Sequence, residues 1–160
     1  MLRTPLLALA ALAAVSAPAL AGDYKVGSIT VQSPWSRPAQ AGMNGVGFMT
    51  LVNTGAKPVT LTAIESPLAA KVELHQSSMA NGVMTMRQQD TTTLAAGGKL
   101  ELSPGGYHLM LLGLKQPLKV GQKAPLTLVF ADGKRVTVDL TVRLTPPNAA
   151  MGGMMDHQHR

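Results

Sequence analysis

The stretch "GGYHLMLLG", residues 105–113, predicts a buried β-strand that is entered through two glycines. Side chains alternate between the two faces of an extended chain, so Leu109 and Leu111 share one face. His108 and Met110 share the other face. Positions i and i+2 lie roughly 6.5–7 Å apart along a strand, which is close enough for an imidazole and a thioether to bind one soft metal ion.

Outward from this segment, the chain carries β patterns from Lys25 onward. Short segments that are rich in β-branched residues, most of them with alternating polarity, are separated by turns containing Gly, Pro, Asn or Asp. No helix of normal length is predicted after the N-terminal segment. We therefore predict an all-β fold, an antiparallel β-sandwich of Greek-key type. The candidate strands are residues 25–33, 45–54, 59–66, 71–76, 83–89, 99–103, 107–113, 125–131 and 135–143.

The N-terminal segment 1–21 has the features of a secretory signal peptide. It contains an early Arg3, an apolar run too short for a membrane span, and small residues at Ala19 and Ala21 before Gly22. We expect export to the periplasm and a mature protein without a membrane span. The mature chain is expected to form one domain over residues 22–145, which is long enough to bury a sizeable core.

The composition excludes several classes of function. The formal net charge is +6, but the basic residues are scattered and aromatic residues make up only 3%, so a nucleic-acid-binding surface is not expected. There is no cysteine, which excludes thiol chemistry, Fe–S clusters and cysteine zinc sites.

The sequence also lacks the motifs of common enzymes. No G-x-S-x-G nucleophile motif or phosphate-binding glycine loop is present, and none of the four histidines has the partners of a catalytic triad. The acidic residues are dispersed, and Glu73 and Glu101 are expected at outward strand positions. We therefore predict that the protein is not an enzyme.

What remains is a set of imidazole and thioether side chains on neighbouring predicted strands. Two neutral imidazoles and two thioethers form a soft, uncharged ligand set that suits Cu(I) better than zinc, calcium or magnesium. Methionine is also a common filler of protein cores, and Met43 and Met49 are interpreted in that way. The candidate ligands are His75, expected where its strand ends, with Met86, His108 and Met110, and with Met79 and Met84 in reserve.

The C-terminal segment 146–160 changes character. It begins with Pro146 and Pro147, has no periodicity, and is predicted to be a flexible tail. Its Met and His content is either chance or a further copper site, for Cu(II) in particular, since imidazole suits that ion. The tail residues concerned are Met151, Met154, Met155, His157 and His159.

The spacing of the four core candidates resembles the H-x10-M-x21-H-x-M signature of the PCuAC family of periplasmic copper chaperones. The flanking segments "SPWSRPAQAGMNGVGFMTLVNTG" and "PGGYHLMLLGLKQPLKVGQKAPLTLVF" are also similar to that family. The resemblance implies a cupredoxin-like β-sandwich that binds one Cu(I) through His75, Met86, His108 and Met110. Some members have a methionine close after the first histidine; here the residue after His75 is Gln76, and Met79 is the candidate substitute.

The resemblance also implies a cellular role. A chaperone of this kind delivers Cu(I) to a copper-accepting protein, expected to be a cytochrome c oxidase subunit during assembly of its copper site, or another periplasmic copper chaperone. We expect a monomer. The alternatives are a periplasmic copper scavenger or store, and a structural or adhesive β-sandwich whose histidines are incidental.

Overall fold

The computed structural model describes residues 23–147, which form eleven β-strands and no helix. The strands are β1 (Tyr24–Val26), β2 (Ile29–Ser36), β3 (Gly45–Asn53), β4 (Val59–Glu65), β5 (Ala69–Ala80), β6 (Val83–Gln89), β7 (Thr92–Leu94), β8 (Lys99–Leu102), β9 (Tyr107–Leu114), β10 (Lys123–Phe130) and β11 (Arg135–Val142). The proposed signal peptide lies outside the described residues, and so do the Met and His residues of the tail.

All nine predicted strands are present, and three features differ from the prediction. The first is divided into β1 and β2 at Gly27, whose φ of 57° lies in the left-handed region that favours glycine. The strand containing His75 is longer than predicted and runs to Ala80. The three-residue strand β7 was not predicted, since it is too short to show an alternating pattern.

The strands join into one hydrogen-bonded ladder in the order β6-β5-β9-β8-β3-β2-β11-β10-β4-β7, with β1 on β2. Its two terminal strands, β6 and β7, follow each other in the chain and are linked only by Asp90 and Thr91. The open sheet therefore curls so that its two ends come close together. Most pairings are antiparallel, but β2–β11 and β8–β9 are parallel, so the sheet is mixed rather than purely antiparallel.

The core lies inside this curled sheet. On β9, Leu109 and Leu111 are fully buried, and they face Gly47 and Gly45 of β3. A Cβ on Gly47 would lie 3.2 Å from Leu140 Cδ1 and 3.3 Å from Leu109 Cβ, so any other residue would have to push these leucines back.

The structure separates the two methionines that were interpreted as core fillers. Met49 is buried in the core, as predicted. Met43 is 62% exposed, so its interpretation as a core residue is wrong. Met43 lies in the loop before β3, where no second layer of the fold covers it.

Within residues 23–147, no helix is long and apolar enough to cross a membrane.

Candidate metal centre

His75 and His108 are direct cross-strand partners in the antiparallel pair β5–β9. On its other side His75 is paired with Gln88 of β6. His75 therefore lies in the middle of a strand that is hydrogen-bonded on both sides, and the expectation that it emerges at a strand end is wrong. The strand continues because residues 77–80 pair with β6 in a long hairpin.

The register places the four candidate ligands on one outer face of β6, β5 and β9. Val72 and Leu74 of β5 are buried in the core, so the alternate residues Glu73, His75 and Ser77 face outward. Directly opposite residues of an antiparallel pair share a face. Met110 is opposite Glu73 and Met86 is opposite Ser77, so the two methionines lie diagonally on either side of the histidine pair.

The histidine pair is sheltered, whereas the β6 side of the site is open. The ring centroids of His75 and His108 are 5.8 Å apart, with the ring planes inclined at 47°. His108 is only 6% exposed, and Met110 is half-buried. Met86 is 47% exposed, so this side of the face is open to solvent.

Each imidazole has one nitrogen fixed by a hydrogen bond. His75 Nε2–H donates to Glu73 Oε2 at 2.8 Å, and His108 Nδ1–H donates to the carbonyl oxygen of Gly106 at 3.2 Å. Among the side-chain nitrogen and oxygen atoms of the described residues, only His75 Nδ1 is buried without a hydrogen-bond partner. A buried nitrogen with an unused lone pair fits a metal ligand, and the Glu73 contact is the usual outer support of a ligating histidine.

Glu73 is a candidate supporting residue that the sequence analysis missed. Its side chain is only 11% exposed, and it accepts hydrogen bonds from both Lys71, at 2.6 Å, and His75. These hydrogen bonds, that of Lys71 first, hold the pKa of Glu73 below its ordinary value, so the carboxylate stays ionised and acts as an acceptor. The signal was available in the sequence, because Glu73 precedes His75 by two positions on the same face.

The remaining candidates are separated from this centre. Met79 and Met84 are opposite each other near the tip of the β5–β6 hairpin, on the same face but beyond Met86. In the part of the chain that the structure describes, no three His, Cys, Asp or Glu side chains are placed to hold one metal ion. Thioether sulfurs, as soft ligands, are chemically compatible with the two imidazoles.

A comparison with protein families decides the affiliation of the chain. The model of the LpqE-like lipoprotein family matches residues 29–142. The chain belongs to this family. It is 36% identical over 116 residues to the lipoprotein-type protein Lxx21020 of Leifsonia xyli subsp. xyli, covering 72% of this chain and 69% of the relative. It is 31% identical over 124 residues to protein RP573 of Rickettsia prowazekii, covering 74% of this chain and 68% of the relative.

Solved structures of PCuAC domains are similar to this chain, which confirms the predicted resemblance to the PCuAC family. The copper-bound PCuAC domain from PmoF2 superposes with a TM-score of 0.65 at 26% identity, covering 78% of this chain and 99% of that domain. The Cu(I) form of DR1885 from Deinococcus radiodurans gives a TM-score of 0.52 at 33% identity, covering 71% and 78%. The cupredoxin-like β fold is therefore confirmed.

Proposed function

We propose that this protein is a copper chaperone that binds one Cu(I) through His75, Met86, His108 and Met110. The copper-bound PCuAC domain and the Cu(I) form of DR1885, both similar to this chain, support copper as the cargo. The four side chains share one face of three neighbouring strands, which supports this ligand set.

One observation carries the proposal: the buried His75 Nδ1 has no hydrogen-bond partner. A buried, unpaired nitrogen costs free energy unless something occupies it. Because Glu73 holds Nε2–H, the lone pair of His75 lies on Nδ1, while the Gly106 carbonyl leaves that of His108 on Nε2. We therefore expect His75 to bind Cu(I) through Nδ1 and His108 through Nε2.

The ligand chemistry suits a carrier that must also release its cargo. Thioethers and neutral imidazoles are soft ligands, which favours Cu(I). The chain offers no thiolate, since it has no cysteine. Because Met86 is exposed, an acceptor protein can approach the bound Cu(I) from this side. Its ligands then replace those of the chaperone one at a time. No catalytic step is required, and the protein acts as a non-enzymatic carrier.

The cellular role is part of the same proposal. The lipoprotein name of the family supports an exported protein, and a segment 1–21 with signal-peptide features is consistent with the periplasm. There the protein, as a monomer, supplies Cu(I) to a copper-accepting protein, with a cytochrome c oxidase subunit as the expected client or another copper chaperone as the intermediate.

An anaerobic competition titration with Cu(I) tests the site. The double variant His108→Ala/Met110→Ala should lose most of the Cu(I) affinity and keep the fold, because neither side chain is part of the hydrophobic core. Met43→Ala is the matched control, since Met43 is exposed and precedes β3. Equal affinities of the double variant and the wild type would contradict the assignment.

Transfer to an acceptor tests the role. Cu(I)-loaded protein is mixed with the apo copper-binding fragment of an oxidase subunit. It should pass its copper to the fragment faster than a chelator of matched Cu(I) affinity does. Retention of copper in the presence of the fragment would instead indicate a scavenger or store.

The tail is a separate element of the proposal. Truncation after Pro147 should remove a Cu(II) equivalent and leave Cu(I) binding at the core unchanged, because imidazole ligands suit Cu(II). A truncated chain that binds as many Cu(II) equivalents as the full chain would show that the tail does not bind copper. The residues removed include Met151, Met154, Met155, His157 and His159.

A further inference from the structure

The β5–β6 hairpin carries a second group of thioethers beyond the proposed copper centre. Met79 is directly opposite Met84, and the next rung on the same face toward His75 pairs Ser77 with Met86. The turn residues Asn81 and Gly82 both have positive φ, 52° and 76°, as a two-residue type I′ turn requires. This turn fixes the register and keeps Met79 opposite Met84.

The exposure of these methionines is unusual for the residue type. Met79 is 66% exposed and Met84 is 60% exposed, whereas methionines normally fill gaps in cores. The intervening rung, on the opposite face, is polar: Ser78 Oγ and Thr85 Oγ1 are hydrogen-bonded at 2.9 Å. The thioethers are therefore confined to one face of the hairpin, the face that carries His75.

We propose that Met79 and Met84 form a second, weaker Cu(I) site at the tip of the hairpin. Directly opposite side chains have Cβ atoms about 4.5–5.5 Å apart, and the flexible methionine side chain lets two sulfurs converge on one ion. Residues 77–86 include no acidic, basic, His or Cys side chain. The site therefore offers only neutral sulfur ligands, which select Cu(I) or Ag(I) over zinc, calcium and magnesium.

The position of Met86 gives this site a role in transfer. Met86 lies between the Met79–Met84 pair and the His75–His108 pair on the same face. Cu(I) passes by exchange of one thioether at a time, with the Met86 sulfur bonded before the Met79 or Met84 sulfur is released. The ion remains Cu(I), so no electron or proton is transferred. This transfer role rests on the proposed function, whereas Cu(I) binding at the tip does not.

Methyl NMR of the full chain, with ¹³C-methyl-labelled methionine, tests the site directly. Single Met→Leu variants assign each methyl signal, which separates Met79 and Met84 from the tail methionines. Anaerobic addition of Cu(I) should shift Met86 and Met110 first, and Met79 and Met84 together at higher Cu(I). Ag(I) should give the same order. Methyl signals of Met79 and Met84 that stay unshifted at saturating Cu(I) would overturn the site.

Transfer kinetics test the role. The Met79→Leu/Met84→Leu variant should release core-bound Cu(I) to a competing chelator several-fold more slowly than the wild type, with unchanged core affinity. Leucine keeps the surface apolar, so a hydrophobic docking surface would not account for the loss, and Met43→Leu is the control. An unchanged rate would overturn the transfer role.

The two proposals fail in distinguishable ways. Shifts of Met79 and Met84 without any change at Met110 would contradict the core site and support the tip site. Shifts confined to the core ligands would do the reverse.

Discussion

Two Lys-x-Glu motifs, on strands β5 and β8 at either side of β9, look alike in the sequence and differ in the structure. Lys71 and Glu73 on β5 form an ion pair at 2.6 Å, and the glutamate is 11% exposed. Lys99 and Glu101 on β8 are 3.8 Å apart, and this glutamate is 59% exposed. The two motifs differ in the residue two positions after the glutamate. After Glu73 this residue is His75, which lies on the same face and is hydrogen-bonded to it.

The contact with His75 distinguishes Glu73 from the glutamate of an ordinary surface ion pair. An exposed pair such as Lys99–Glu101 is screened by solvent and contributes little to stability. Glu73 has the same chemistry, but its carboxylate fixes the ring and the tautomer of a candidate copper ligand. Four predictions test whether the two motifs differ in this way.

The largest expected effect is that of Glu73→Ala on Cu(I) affinity. Removing the acceptor frees the His75 ring, and loss of such outer support typically lowers metal affinity about 10–100-fold. Glu101→Ala is the matched control, with the same change in charge and no expected effect. Anaerobic competition titration measures both, and equal affinities for the two variants would remove the distinction between the motifs.

The variant Glu73→Gln should have a smaller effect, less than about tenfold, the lower end of the range for outer-support residues. The amide oxygen still accepts a hydrogen bond from His75 Nε2–H, although the charge is lost. Long-range ¹H–¹⁵N NMR of the apo protein should find the proton on Nε2 in the wild type and in this variant, and a mixture of tautomers in Glu73→Ala. A wild-type His75 protonated on Nδ1 would refute the proposed ligand atom.

Replacing Lys71 by Ala should lower Cu(I) affinity by less than about fivefold, because the lysine is largely exposed and acts only through Glu73. The effect should shrink further at high salt, which screens exposed charges. Lys99→Ala should leave the affinity unchanged at any salt concentration. A loss for Lys71→Ala as large as that for Glu73→Ala would mean that the lysine has a direct role.

The smallest expected effect concerns the stability of the apo protein. The pKa of Glu73 is held below its ordinary value of 4.5, so its ionised form stabilises the folded state above that value. The contribution is lost as the pH falls through the lowered pKa of the folded state. The difference in Tm between the wild type and Glu73→Gln should therefore be largest near neutral pH and shrink in acid. A constant difference would contradict the ion pair.

Local sequence patterns were sufficient to predict most of the strands. Alternation and turn residues identified nine segments, which cover ten of the eleven described strands, because both signals act over a few neighbouring residues. They did not give the full length of β5. Residues 77–80 belong to a hairpin that projects beyond the core, so neither face is buried and no alternation marks them as a strand.

By itself, the sequence determined the strand segments, the absence of thiol ligands, the types of the four candidate ligands and, through the two-residue period, the face shared by His108 and Met110. Only the tertiary structure decided that His75 is directly opposite His108, that Glu73 holds His75 Nε2–H, and that Nδ1 is left buried without a partner. The reason is that strand register depends on contacts between residues far apart in the chain. A shift of one residue would turn His75 away from His108 and onto the other face of the sheet.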